Sequence, residues 1–144
     1  MKKVILFFAC VCALIANANA DNYQPITRDQ LPKKAQAFLT SYFSEIKTSL
    51  VRKEIDVMEV SYDVIFADGS KVEFDRKGDW TDVDCGVNPL PVGIVPKAIE
   101  NVIRTQYPEA KAIKIERDRN EYDVKLSNRV ELTFNKKMQL VDID

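Results

Sequence analysis

A chain of 144 residues, 46% apolar and 30% charged, has enough material for one compact core. Its 21 Lys and Arg residues are interspersed with 22 Asp and Glu, with no basic stripe, which argues against a nucleic-acid partner. Histidine is absent, which removes Ser-His-Asp and Cys-His nucleophilic catalysis and the commonest transition-metal ligand.

In chain order, Lys2 and Lys3 precede an apolar run from Val4 to Ala16, and Ala18-Asn19-Ala20 supplies a small-x-small cleavage pattern. Residues 1–20 therefore read as a secretory signal peptide, too short and wrongly flanked to span a membrane. Cys10 and Cys12 fall too early in it for a lipoprotein anchor. The expected product is an exported, periplasmic chain 21–144 with no second apolar run of spanning length. It retains one cysteine, Cys85, expected to be buried as a small hydrophobe.

Residues 21–28 read as a lead-in strand or arm. Apolar residues at Leu31, Ala35, Phe38-Leu39, Tyr42-Phe43 and Ile46 predict an amphipathic helix of about four turns. The period then changes to two: Ile55 and Val57, then Tyr62, Val64 and Phe66, then Val72 and Phe74 after the Asp68-Gly69 turn, then Trp80 to Asp84 after Lys77-Gly78-Asp79. This predicts an antiparallel meander with one wet face. Residues 85–94, with Gly86, Pro89, Pro91 and Gly93, form a joint without period. The pattern then restarts, with a helix from about Val95 to Gln106 closed by Tyr107-Pro108 and strands around Ile113/Ile115, Tyr122–Leu126, Val130–Phe134 and Leu140–Asp144.

The two halves match residue by residue. Pro96 and Lys97 fall on Pro32 and Lys33 at a spacing of 64; after four residues are dropped, Tyr122-Asp123-Val124 falls on Tyr62-Asp63-Val64 and Phe134 on Phe74. The expected fold is α+β: a single domain of two tandem helix-plus-four-strand repeats, about 27–84 and 95–144, joined by 85–94. Both helices would lie on one face of a curved antiparallel sheet, and the other face would be open.

The motifs Trp80-x-x-Val83-Asp84-Cys85, Val95-Pro96-x-x-Ile99, Tyr107-Pro108, Tyr122-Asp123-Val124-x-Leu126 and Glu131-Leu132-x-Phe134 resemble the PepSY-like family. Its members are exported bacterial proteins similar in fold to the β-lactamase-inhibitor protein. The resemblance covers the whole of 21–144. It implies a tandem α/β repeat and a role in holding or inhibiting another protein, and it brings no catalytic residues and no cofactor.

An uncovered sheet would display Asp63, Ile65, Glu73, Lys125, Glu131 and Thr133, the expected partner-binding positions. Trp80, the only tryptophan, has two readings: core packing under the helix, or an anchor on that open face. The pairs Asp82/Asp84 and Asp142/Asp144 each project two carboxylates to one side of a strand. If the repeats brought them together they would suit a hard cation such as calcium. Cys85 has no candidate base beside it in sequence. The function expected is a non-enzymatic binding module for an exported or envelope protein. The alternatives are a small-ligand or cation-binding protein with its site where the repeats meet, or a self-associating envelope scaffold.

Overall fold

The structure, a computed structural model, describes residues 22–144. The expected signal peptide lies outside the described residues. Nine strands form one antiparallel sheet in strict sequence order: β1 (Tyr23–Pro25), β2 (Thr48–Ile55), β3 (Val60–Phe66), β4 (Lys71–Asp75), β5 (Trp80–Asp84), β6 (Ala112–Arg117), β7 (Glu121–Leu126), β8 (Glu131–Asn135) and β9 (Leu140–Ile143). A 3-10 turn (Arg28–Gln30) leads into helix α1 (Lys33–Tyr42), and helix α2 (Lys97–Gln106) separates β5 from β6.

This corrects the expectation of two tandem helix-plus-four-strand repeats set side by side. Among the described residues the organising element is a single uninterrupted sheet of nine strands, accompanied by two short α-helices. Two features account for the difference. The lead-in segment is a full member of the sheet: β1 pairs with β2, and the Ile26 amide donates to the Val51 carbonyl at 2.9 Å. The expected boundary between the halves is itself a strand pairing, with Asp82, Val83 and Asp84 of β5 opposite Glu116, Ile115 and Lys114 of β6.

Pro32 and Pro96 sit at the helix N-caps with φ of −53° and −54°, values proline favours at a helix start. Each helix buries one i, i+4 pair, Ala35/Leu39 and Ile99/Ile103. Helix α1 is shorter than the sequence pattern predicts. The chain leaves it at Phe43, whose ring stacks on Phe66 with centroids 4.9 Å apart. The alternation at Ile55 and Val57 is also misleading: β2 ends at Ile55, and Val57 lies 97% exposed in the turn.

Both helices and the inward residues of the strands belong to one core, so both helices cover the same sheet face. Under α1 the packing is aromatic: Phe38 meets Phe74 edge-on at 5.6 Å and Trp80 at 6.5 Å. The second half contributes Ile99, Ile103, Ile115, Val124, Leu126, Leu132 and Phe134, all buried. Cys85 is buried in the same core, and burial pushes its thiol pKa up, so it is not an activated nucleophile.

Candidate functional site

Strand alternation that buries Val64, Val72 and Val83 aims their neighbours at the opposite, helix-free face. The register aligns those neighbours into a row across the sheet: Asp63 opposite Glu73, Glu73 opposite Asp82, Asp82 opposite Glu116, Glu116 opposite Asp123, then Thr133 and Asp142. Four consecutive cross-strand pairs are thus acid against acid, an arrangement that costs stability in a sheet.

Cations beside the row offset part of this cost. Arg52 Nε donates to Asp63 Oδ2 at 2.7 Å, and Lys71 Nζ lies 2.7 Å from Glu73 and 4.0 Å from Asp63. Lys114 Nζ is 2.9 Å from Glu116, 3.8 Å from Asp82 and 3.9 Å from Asp84. Thr133 donates its hydroxyl to Asp123 Oδ1 at 2.7 Å. Glu73, Asp82, Glu116 and Asp123, with Thr81, Arg117 and Asp118, line a cleft of about 240 Å³ at the β5–β6–β7 junction.

Asp82 is the strained member of the cleft. Its Oδ1 is buried without a hydrogen-bond partner among the described residues. Burial raises its pKa to about 7, helped by the charges of Glu116, Glu73 and Asp84 and opposed by Lys114. Burial also raises the pKa of Asp123, against the Thr133 hydrogen bond.

The positions expected on the partner face divide. Lys125 and Glu131 are exposed, and Ile65, Glu73 and Thr133 are half-buried on the open side. Asp63 is on that face but only 3% exposed, enclosed by its ion pairs. Trp80 is on the other face: it is buried, packs on Phe38, and carries the Arg117 guanidinium 3.8 Å above its ring. The two aspartate pairs are not brought together. Asp142 on β9 lies four strand spacings from Asp82 on β5, roughly 19 Å at about 4.8 Å each. Among the described residues no three His, Cys, Asp or Glu side chains stand close enough to cage a metal ion.

Sequence reasoning missed Glu116, Asp123, Lys114 and Arg117. Lys114 and Glu116 do alternate with Ile113 and Ile115, which marks them as outward, but their neighbours depend on the β5–β6 pairing.

The profile of a β-lactamase-inhibitor-like, PepSY-like family matches residues 60–142. The chain belongs to the PepSY-like family. A periplasmic protein proposed to be calcium-regulated, from Bacteroides thetaiotaomicron, is 50% identical, with 87% of this chain and 98% of that chain covered and a TM-score of 0.85. A DUF2874-family protein assigned to the periplasm of Bacteroides vulgatus is 46% identical over the same shares, with a TM-score of 0.84. A second B. vulgatus periplasmic protein, of unknown function, is 31% identical, with 85% of this chain and 98% of that chain covered and a TM-score of 0.80. No curated protein matches. This PepSY-like chain is periplasmic, and no helix among its described residues is long and apolar enough to cross a membrane.

Proposed function

We propose that this PepSY-like protein is a non-enzymatic binding module that holds an exported protein against the helix-free face of its sheet. The observation that carries this reading is the run of four acid–acid cross-strand pairs on a face that neither helix covers. A sheet stabilised for its own sake would not place like charges directly opposite one another. A partner that brings cationic groups to this face would relieve the repulsion. The absence of histidine and the burial of Cys85 support a role without chemistry.

The test is capture from periplasmic extract by tagged 21–144 protein, read by mass spectrometry, alongside Ile65→Asp and Lys125→Glu variants and a Glu116→Lys variant. One protein enriched by the wild type, released by Glu116→Lys and by salt, and held at least as well by Ile65→Asp and Lys125→Glu, which add acid to the face, is the expected result. Capture that is indifferent to all three variants would end this reading.

A second reading is favoured by Asp82 itself. A hard cation would pair the buried, unpartnered Asp82 Oδ1 and keep waters as its other ligands, since no three acids among the described residues cage it, and a 50%-identical relative is proposed to be calcium-regulated. Calcium would then raise the melting temperature of the wild type, and Asp82→Asn would abolish the rise. An unchanged melting temperature in millimolar calcium would dispose of it.

A further inference from the structure

A second concavity lies away from the acidic row, on the helix side. The joint from Pro89 to Val95 forms one wall and the C-terminal half of α2 with residues 108–112 the other, enclosing a groove of about 380 Å³. The volume falls within the range of small-molecule sites, and the lining, mostly apolar with a few polar groups, has their usual composition. Leu90, Val95, Ile103, Pro108, Ala110 and Ala112 supply the apolar surface. Val92 at its lip is 92% exposed and contributes nothing to the core.

The groove is built in advance. Pro89, Pro91 and Pro108 stiffen both walls, and the Leu90 amide donates to the Ala112 carbonyl at 2.9 Å. Gly93, at φ +101°, lets the joint press on Tyr42: a Cβ there would lie 3.4 Å from the ring. The charges of the lining are unbalanced towards positive. Arg104 and Lys111 face a single acid, Glu100, whose pairing with Arg104 is long at 3.8 Å and solvent-exposed. Lys111 is anchored by two hydrogen bonds to Ser127, its amide donating to Ser127 Oγ at 3.0 Å and its carbonyl accepting the Ser127 amide at 2.8 Å.

We propose that this groove binds an anionic amphiphile, a single hydrocarbon chain ending in a carboxylate or phosphate, with the chain on the apolar walls and the head at Arg104 and Lys111. The chain length sets affinity through apolar burial and the head sets orientation. This site is independent of the partner-binding face.

The experiment is a heteronuclear NMR titration of the protein purified from the periplasm with octanoate, decanoate, decyl phosphate and decyltrimethylammonium. Saturable shifts are expected at Leu90, Val95, Ile103 and Ala110 with the anionic probes. Affinity should rise roughly three- to fourfold per methylene from octanoate to decanoate. Tighter binding of decanoate than of decyl phosphate assigns a fatty-acid source, and the reverse order a lipid-phosphate source; either order supports the shared chemistry. Arg104→Gln with Lys111→Gln should weaken decanoate at least tenfold with little change in melting temperature, since both side chains are exposed. Equal affinity for decyltrimethylammonium, shifts confined to the open sheet face, or no saturation by millimolar decanoate would overturn the proposal.

Discussion

The guanidinium of Arg117 stacks 3.8 Å above the Trp80 ring while its Nε donates to the Trp80 carbonyl at 2.7 Å. One side chain of β6 therefore clamps both the backbone and the ring of the first residue of β5, across the pairing that joins β1–β5 to β6–β9 in one sheet. Arg117→Ala should cost about 1–3 kcal/mol, from the lost cation–π contact and the orphaned carbonyl. Arg117→Lys should recover less than half, because an ammonium cannot stack and donate in the same geometry. Urea unfolding followed by fluorescence of the sole tryptophan checks this directly. Loss of under about 0.3 kcal/mol for the alanine variant would show the clamp to be ornamental.

Arg52 and Asp63 pose a different test, because Asp63 is buried and Arg52 is its close partner. Arg52→Ala leaves Asp63 only Lys71 at 4.0 Å and should destabilise by about 2–4 kcal/mol. The double variant Arg52→Ala with Asp63→Asn should be less destabilised than the single one, since the unpaired charge has gone. A double variant worse than the single would mean that the unpaired Asp63 charge is not what costs stability.

Asp82 predicts an unusual pH dependence. Its folded pKa of about 7 lies above that of the unfolded chain, so between about pH 4 and pH 7 the folded state holds the extra proton. The contribution of this group to stability is therefore full below about pH 4 and is lost as pH rises to about 7, the reverse of an ion-paired carboxylate. Asp82→Asn should be close to neutral at pH 4 and stabilising by an amount on the order of 1–3 kcal/mol at pH 7.5. Thermal denaturation of both proteins across this range reads the difference. A pH-independent gap would show that burial does not control this titration.

Gly78 and Gly69 separate backbone strain from close packing. Both have positive φ, +87° and +89°, but a Cβ on Gly78 would lie 2.8 Å from Pro32 Cβ and 3.0 Å from the Ala35 amide, whereas one on Gly69 meets open space. Gly69→Ala should cost about 1 kcal/mol, the conformational penalty alone. Gly78→Ala should cost about 2–4 kcal/mol, because the β4–β5 turn must move off α1. Equal melting-temperature losses would refute the contact between this turn and the helix start. At the turn that matches Gly69 in the second half, Arg129 adopts φ +72°, so Arg129→Gly should stabilise slightly.

Much of the strand layout was legible because turn chemistry and period are local. Asp68-Gly69 and Ser127-Asn128-Arg129 mark hairpins from within the hairpins themselves, and Val72/Phe74 or Leu132/Phe134 mark core positions by alternation. The expectations left open are those that a neighbour decides. Tyr23–Pro25 carries too few residues to declare a strand and becomes one only by pairing with β2. Trp80 could be placed on either face from sequence, because a register shift between Glu73 and Phe74 sets which side its ring takes.

The acidic face shows the same division. Each outward carboxylate could be read singly, but the row they form is a property of register, and so is the separation of Asp82 from Asp142.

The amino-acid sequence by itself determined that this is a histidine-free, PepSY-like chain with alternating strands, two short apolar helix faces and Cys85 as its cysteine outside residues 1–20. Only the tertiary structure decided that β5 joins β6 into one nine-stranded sheet, that four acid pairs align across its open face, and that Trp80 turns inward beneath Arg117. The physical reason is range. Periodicity and turn preference act over a few residues and are written in consecutive letters. Strand pairing, charge alignment and burial of a carboxylate arise between residues up to dozens apart in the chain, where packing of the whole core selects one register over its neighbours.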